Sequence, residues 1–181
     1  RLVHGESDGL PGLVVDRFGA TLVVQIGTIG MEAQQELLVE ALAEVTGCAS
    51  IVLKNDAAAR EQEGLPLYVK TVRGELPDRL EIKENGLTFT APLADGQKTG
   101  WFYDHREARA RLHGMVAGAR VLDVFSYCGA WGVGAALNGA ASVTCVDASQ
   151  TALDFVRDNA VRNGVADKVS CEKGDAQQVM K

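Results

Sequence analysis

The spacing of apolar residues along this chain changes partway, from short strand-like runs to regularly alternating strands and helices. Two apolar runs near the start, 13–15 and 21–26, flank Phe18-Gly19, with Asp8-Gly9 and Pro11-Gly12 ahead of them. That spacing predicts a β-hairpin. Residues 32–46 put Leu37, Leu38, Ala41, Leu42 and Val45 on one helical face, and Gly47 follows as a stop. Residues 51–55 predict a strand and 56–63 a short helix or loop. Residues 67–72 and 79–84 read as strands, and Asn85-Gly86 can close the second of these onto 87–92 as a hairpin. A polar loop over 95–106 leads into a helix at 105–117. From there the period is regular: strand 120–125, helix 130–138, strand 142–146, helix 150–162 and strand 168–172, which ends near Gly174. Asn163 and Gly164 close the second of these helices.

This order predicts an α/β fold in three parts. Residues 1–91 form a strand-rich small α/β domain, and 92–118 a loop with its lead-in helix. Residues 119–181 form the first half of a Rossmann-like parallel sheet. The apolar helix face in 1–91 needs a sheet to cover it. Those residues hold no recognisable chemical constellation, so a packing or orienting role is expected there.

Composition narrows the class. Apolar residues make up 46% of the chain, and no run approaches the roughly 18 that a membrane span needs. Residues 1–90 carry 8 basic and 14 acidic groups, whereas 91–181 carry 10 of each. An acidic chain does not attract a phosphate backbone through its overall field, which counts against nucleic-acid binding by this stretch alone. Cys48, Cys128, Cys145 and Cys171 show neither a CxxC pair nor Cys/His ligand spacing. They are read as free thiols in a reducing cytoplasm, with no metal expected.

The candidate chemistry collects after the first strand of the third part. Gly129, Gly132 and Gly134 follow that strand in a spacing unlike the dinucleotide GxGxxG. Asp123 lies in the C-terminal half of the first strand, Asp147 ends the second, and Asp175 follows the third. Three carboxylates at one sheet edge call for a shared reason. An amine, a ribose diol and an adenine amino group together supply one, and helix capping is the alternative. Gln97, Lys98, Thr99, Gly100, Phe102, Asp104 and Arg106 form a dense polar and aromatic cluster that could act as a lid or as a plain linker. His105 and His113 lack a carboxylate placed as a metal partner. Cys128 lacks a neighbour that would activate it as a nucleophile.

At these residues the chain resembles the class I S-adenosylmethionine-dependent methyltransferases of the large-subunit (23S) ribosomal RNA cytosine-C5 type. The resemblance runs through GESDGLPGLVVDRFG at 5–19, DGQKTGWFYDHREAR at 95–109, VLDVFSYCGAWGVGAALNGA at 121–140, TCVDASQTALDFVRDNAVRNG at 144–164 and EKGDA at 172–176. It implies S-adenosyl-L-methionine as cofactor and an architecture of RNA-binding PUA domain, strand-rich middle domain and methyltransferase domain. Residues 1–91 would then be the middle domain, which orients substrate. By the family pattern Asp123, Phe125 and Gly129 line the methionine side of the cofactor. Asp147 takes the ribose and Asp175 the adenine edge, and Ala148 and Ala176 are also expected to bind the cofactor. Lys98, Thr99, Gly100, Phe102, Asp104 and Arg106 cover the pocket. Cys128 stands where the family often has threonine, and Trp131 where phenylalanine is common.

The same resemblance implies ribosomal RNA as the partner of the full-length protein, a cytoplasmic location, no membrane and no metal, with a homodimer left open. The chain begins on Arg1 and ends at Lys181. It is expected to be a fragment, inactive alone, that lacks the RNA-binding domain, the later half of the sheet and the catalytic cysteine. Three alternatives stand beside this reading. One is a methyltransferase for another base or a non-RNA substrate, another an NAD-dependent oxidoreductase, and the last a non-catalytic RNA- or protein-binding module.

Overall fold

The computed structural model describes residues 1–75, 77–93 and 96–179, and the chain divides into two compact units. Asp95, the first residue of the expected polar loop, lies outside the described residues.

The first unit comprises Arg1–Leu80 and Pro92–Trp101. Its strands β1 (Val3–His4), β2 (Leu13–Phe18), β3 (Thr21–Ile26), β4 (Ser50–Asn55) and β5 (Tyr68–Arg73) lie side by side in that order. The β2–β3 pair is the expected hairpin, in register from Leu13↔Ile26 to Phe18↔Thr21. β3 and β4 run parallel, because helices α1 (Ile29–Glu32) and α2 (Gln35–Thr46) carry the chain back between them. A short helix, α3 (Ala59–Gln62), joins β4 to β5. All six residues of β4 are buried.

The expected single helix over 32–46 is thus two helices, broken at Ala33 and Gln34, where Gln34 leaves helical geometry with φ −107° and ψ 15°. Its buried face also differs from the expected one. Leu38, Val39, Leu42 and Ala43 pack on Leu13, Val15, Leu22, Val24, Ile26, Ile51 and Leu53. Leu37 and Val45 remain 61% and 84% exposed. Several buried polar groups in this unit are paired. The Asp16 carboxylate accepts from the Arg1 guanidinium at 3.0 and 2.9 Å and from the Thr99 hydroxyl at 2.6 Å. Arg60 donates to Glu32 at 3.0 Å and sits over the Tyr68 ring.

The second unit comprises Glu81–Ala91 and Phe102–Lys181. It takes in most of the hairpin of β6 (Arg79–Glu84) and β7 (Leu87–Pro92), which turns at Asn85-Gly86 as the sequence predicts. Packing therefore groups 81–91 with the later residues and 92–101 with the earlier ones, a different partition from a break after residue 91. The physical reason lies in side-chain pairs. Arg109 donates to both oxygens of Glu84 at 2.6 and 2.9 Å, and both side chains are only 2% exposed. Asn159 and Asn163 bond the backbone of β7.

A 3-10 turn at Tyr103–His105 leads into α4 (Arg106–His113), shorter than the expected 105–117 because the chain leaves the helix at Gly114. The units then alternate as predicted: β8 (Arg120–Val124), α5 (Ala130–Leu137), β9 (Ser142–Asp147), α6 (Gln150–Arg162), β10 (Val169–Lys173) and the short α7 (Ala176–Val179). β8, β9 and β10 pair in parallel with β9 in the middle, so all three strand ends open toward one edge. The fold is the α/β class expected.

Candidate functional site

The loop after β8 is built from residues in an uncommon backbone region. Phe125, Tyr127 and Gly129 have φ of 61°, 49° and 78°. Left-handed backbone at a non-glycine residue is unfavourable, so the surroundings must hold it in place. Several backbone bonds do. The Ser126 amide donates to the Val146 carbonyl at 3.0 Å, and the Gly129 amide to the Ser126 carbonyl at 2.8 Å. The Tyr127 amide donates to the Asp147 carboxylate at 2.9 Å. Glycine at 129 meets the positive φ at no steric cost as the chain enters α5.

Asp147, at the end of β9, also accepts from the Ser149 amide at 2.9 Å through its other oxygen. Each oxygen therefore has one backbone partner and keeps acceptor capacity for a second. The half-buried carboxylate forms the floor between the first and second strand ends. Ser149 in turn caps α6, its hydroxyl accepting from the Ala152 amide at 3.2 Å. Ala148 is exposed beside it.

Asp123 has a different place from its two partner acids. It is 8% exposed and accepts from the Gly132 amide at 2.8 Å. Burial pushes its carboxyl up to about 6. The Gly132 amide works against that rise, and the nearby Asp147 charge adds to it. Asp123 thus braces the first turn of α5 from beneath. A Cβ added at Gly132 would fall 2.5 Å from the Cys145 sulfur and 3.0 Å from this carboxylate, so the position admits only glycine without movement.

Asp175 lies past β10, exposed, with its side chain accepting from the Gln177 amide at 2.9 Å at the start of α7. The capping alternative therefore describes one of its bonds, and the other lone pairs face solvent. Ala176 is buried behind it. Phe102 meets the loop from the other side. Its ring is edge-on to Tyr127 at 6.0 Å and stacked on His105 at 5.7 Å, and its carbonyl accepts from Arg109 at 2.9 Å. Asp104 and His105 are 3.5 Å apart near the surface. Arg106, exposed, lines a cleft at the β6–β7 turn with Lys83 and Asn85.

The second unit thus brings together Asp123, Phe125, Gly129, Asp147, Ala148, Asp175 and Ala176 along one sheet edge. It places Phe102 against the loop and Arg106 beside the hairpin turn. Lys98, Thr99 and Gly100 belong to the first unit, where Thr99 is fully buried on Asp16. Sequence reasoning missed Tyr127 and Ser149 as parts of the loop's support, and it named Gly132 without its bond to Asp123. The Ser149 cap was legible as a serine between a strand-ending acid and an apolar helix. The Tyr127 and Gly132 contacts are made through backbone amides, on which residue identity is silent.

The chemistry open to this edge is binding. Cys128 is buried and its thiol is pushed up to about 12, chiefly by burial, which leaves no thiolate for nucleophilic work. Among the described residues no group of three or more His, Cys, Asp or Glu is placed to hold a metal. Also among them, no helix is long and apolar enough to cross a membrane. The buried Ser126 hydroxyl has no hydrogen-bond partner among the described residues, and the Phe125 ring stands 78% exposed at the loop's tip. Together with the open acceptor positions of Asp147 and Asp175, these fit a ligand that carries hydroxyl and amine donors and an apolar surface.

The profile of S-adenosylmethionine-dependent methyltransferases matches residues 41–173. The chain belongs to that family. A ribosomal RNA large subunit methyltransferase I from Klebsiella pneumoniae is 42% identical over 166 residues, which make up 91% of this chain and 42% of that protein. This methyltransferase chain therefore spans about 42% of the length of the curated relatives it matches. A protein from Streptococcus mutans, described as a SAM-dependent methyltransferase, superposes with a TM-score of 0.86 at 26% identity, covering 99% of this chain and 46% of its own. A methyltransferase solved in complex with SAH gives a TM-score of 0.86 at 25% identity, with 99% and 46% coverage. The cofactor of the family is S-adenosylmethionine, and the residues at the sheet edge fit it.

Proposed function

We propose that this chain is the cofactor-binding part of an enzyme that methylates C5 of a cytosine in large-subunit ribosomal RNA. The observation that carries the cofactor half is the Asp147 carboxylate at the end of β9, with one acceptor position left on each oxygen. In dinucleotide sites of this topology the equivalent acid accepts from a ribose diol, and the same role is proposed here. Ala148 borders the ribose, Asp175 and Ala176 border the adenine edge, and Phe125 and Gly129 line the methionine side. Asp123 acts there through Gly132, holding the first turn of α5 in place. Phe102, Asp104 and Arg106 belong to the covering segment. Residues 1–91 are assigned to substrate orientation and 119–181 to the methyltransferase domain.

The RNA half rests on the 42%-identical relatives named for large-subunit ribosomal RNA. S-adenosylmethionine supplies an electrophilic methyl group. C5 of cytosine needs activation by a nucleophile at C6 before it can accept that methyl. Cys128 is unsuited to that step because burial holds its thiol protonated. The catalytic residue is therefore not assigned among the described residues. A cytoplasmic protein acting on ribosomal RNA is the cellular setting this reading proposes.

Two measurements test it. Calorimetric titration of S-adenosylhomocysteine should saturate with the wild-type chain and fail with Asp147→Ala, whereas NAD should not bind. Incubating the full-length enzyme with large-subunit ribosomal RNA and methyl-labelled S-adenosylmethionine, followed by nucleoside mass spectrometry, should yield 5-methylcytidine. Label in another nucleoside overturns the cytosine-C5 assignment and leaves the cofactor assignment standing.

A further inference from the structure

Helix α6 is joined to β7 by two carboxamides that act as a strand edge. The Asn159 side-chain oxygen accepts from the Thr90 amide at 2.7 Å, and its nitrogen donates to the Thr90 carbonyl at 3.0 Å. Asn163 repeats the pattern on Thr88, accepting from its amide at 3.1 Å and donating to its carbonyl at 2.8 Å. Four residues on a helix rise roughly 6 Å and two on a strand roughly 6.7 Å, so both pairs can form at once. The side of β7 turned away from β6 is thereby covered by a helix.

The two asparagines differ in burial and in their further partners. Asn159 is fully buried, and its nitrogen also donates to the Cys128 carbonyl at 2.9 Å, inside the loop after β8. In a trans peptide the carbonyl and the following N–H point in opposite directions. The Cys128–Gly129 peptide is therefore held at both ends, its oxygen by Asn159 and its N–H by the Ser126 carbonyl at 2.8 Å. Among the described residues, removing the Asn159 bond leaves the Gly129 bond to hold this plane, in a loop already in left-handed backbone.

We propose that Asn159 is a positioning residue for cofactor binding: it fixes the Cys128–Gly129 peptide and ties it to the β6–β7 hairpin, so that hairpin and cofactor loop form one rigid body. This rests on the cofactor reading above. Asn163 serves as the internal control: it makes the same kind of strand contact, and its one further bond, to the Asn159 carbonyl at 2.8 Å, stays within the helix end and leaves the loop untouched.

The test compares S-adenosylhomocysteine affinity in the wild-type chain, Asn159→Ala and Asn163→Ala, each first shown to be folded by urea unfolding. Loss of one buried hydrogen bond that orders the binding loop is expected to weaken Asn159→Ala about ten-fold, while Asn163→Ala stays within roughly two-fold of wild type. Equal effects in the two variants overturn the positioning role, since loss of the strand contact alone would then account for both. A folded wild-type chain that does not bind overturns the cofactor reading and this inference with it. Wild-type binding with unaltered Asn159→Ala overturns only the inference. If Asn159→Ala does not fold, NMR of the wild-type asparagine side-chain amides decides. S-adenosylhomocysteine should shift the Asn159 resonances and leave those of Asn163 in place, and no shift at Asn159 refutes the link.

Discussion

Replacing Asp123 by asparagine isolates the energetic consequence of burying an acid beneath the loop after β8. The Asp123 carboxyl is 8% exposed and is raised from 3.8 to about 6, mainly because burial disfavours its charged form. A shift of that size corresponds to about 3 kcal/mol of linkage, at about 1.4 kcal/mol per unit. The folded state binds this proton more tightly than the unfolded state does. The group therefore contributes stability in full below about pH 4, and that contribution is lost as the pH rises through about 6. Asparagine keeps an oxygen to accept from the Gly132 amide and does not titrate. The stability of Asp123→Asn relative to wild type should then rise by about 3 kcal/mol between about pH 3 and about pH 7, whatever constant offset its new amide introduces. Urea unfolding of both proteins across that range measures the difference, and other titrating groups cancel in it. The reasoning is refuted by a pH-independent difference, or by an Asp123 carboxyl carbon resonance in the folded wild type that titrates near pH 4.

Other perturbations probe the remaining supports. Gly132→Ala puts a methyl 2.5 Å from the Cys145 sulfur, so it should cost about 1–3 kcal/mol in urea unfolding and be partly relieved by adding Cys145→Ala. Glu84→Gln removes the charge partner of the buried Arg109 and should cost about 3–5 kcal/mol. Adding Arg109→Met should recover most of that loss, and a double variant as unstable as the single one would refute the charge argument. Asp147→Ala should abolish saturable S-adenosylhomocysteine binding in calorimetry, and retained binding would remove Asp147 from the cofactor site.

Local periodicity and turn chemistry were enough to establish the alternation of β8, α5, β9, α6 and β10. Each of these elements is specified by residues within a few positions of one another: Asn85-Gly86 for the hairpin turn, Ser149 for the start of α6, and apolar runs for the strands. The acids at the strand ends were legible for the same reason, since a parallel strand order sends successive strand ends to one edge. The buried side of α2 was not. Leu37 and Val45 compete with Val39 and Ala43 on the same helix, and only the sheet beneath decides which are covered. Nor could spacing distinguish Asp123 from Asp147. One is buried on a helix amide and the other half-exposed on two loop amides, a difference set by how α5 packs over the sheet. The grouping of 81–91 with the later residues likewise depends on Glu84–Arg109 and Asn159–Thr90, pairs separated by 25 and 69 positions. A short window of sequence carries the preference of a segment for helix or strand. Which buried polar groups meet across such distances is decided only when the chain closes and each must find a partner.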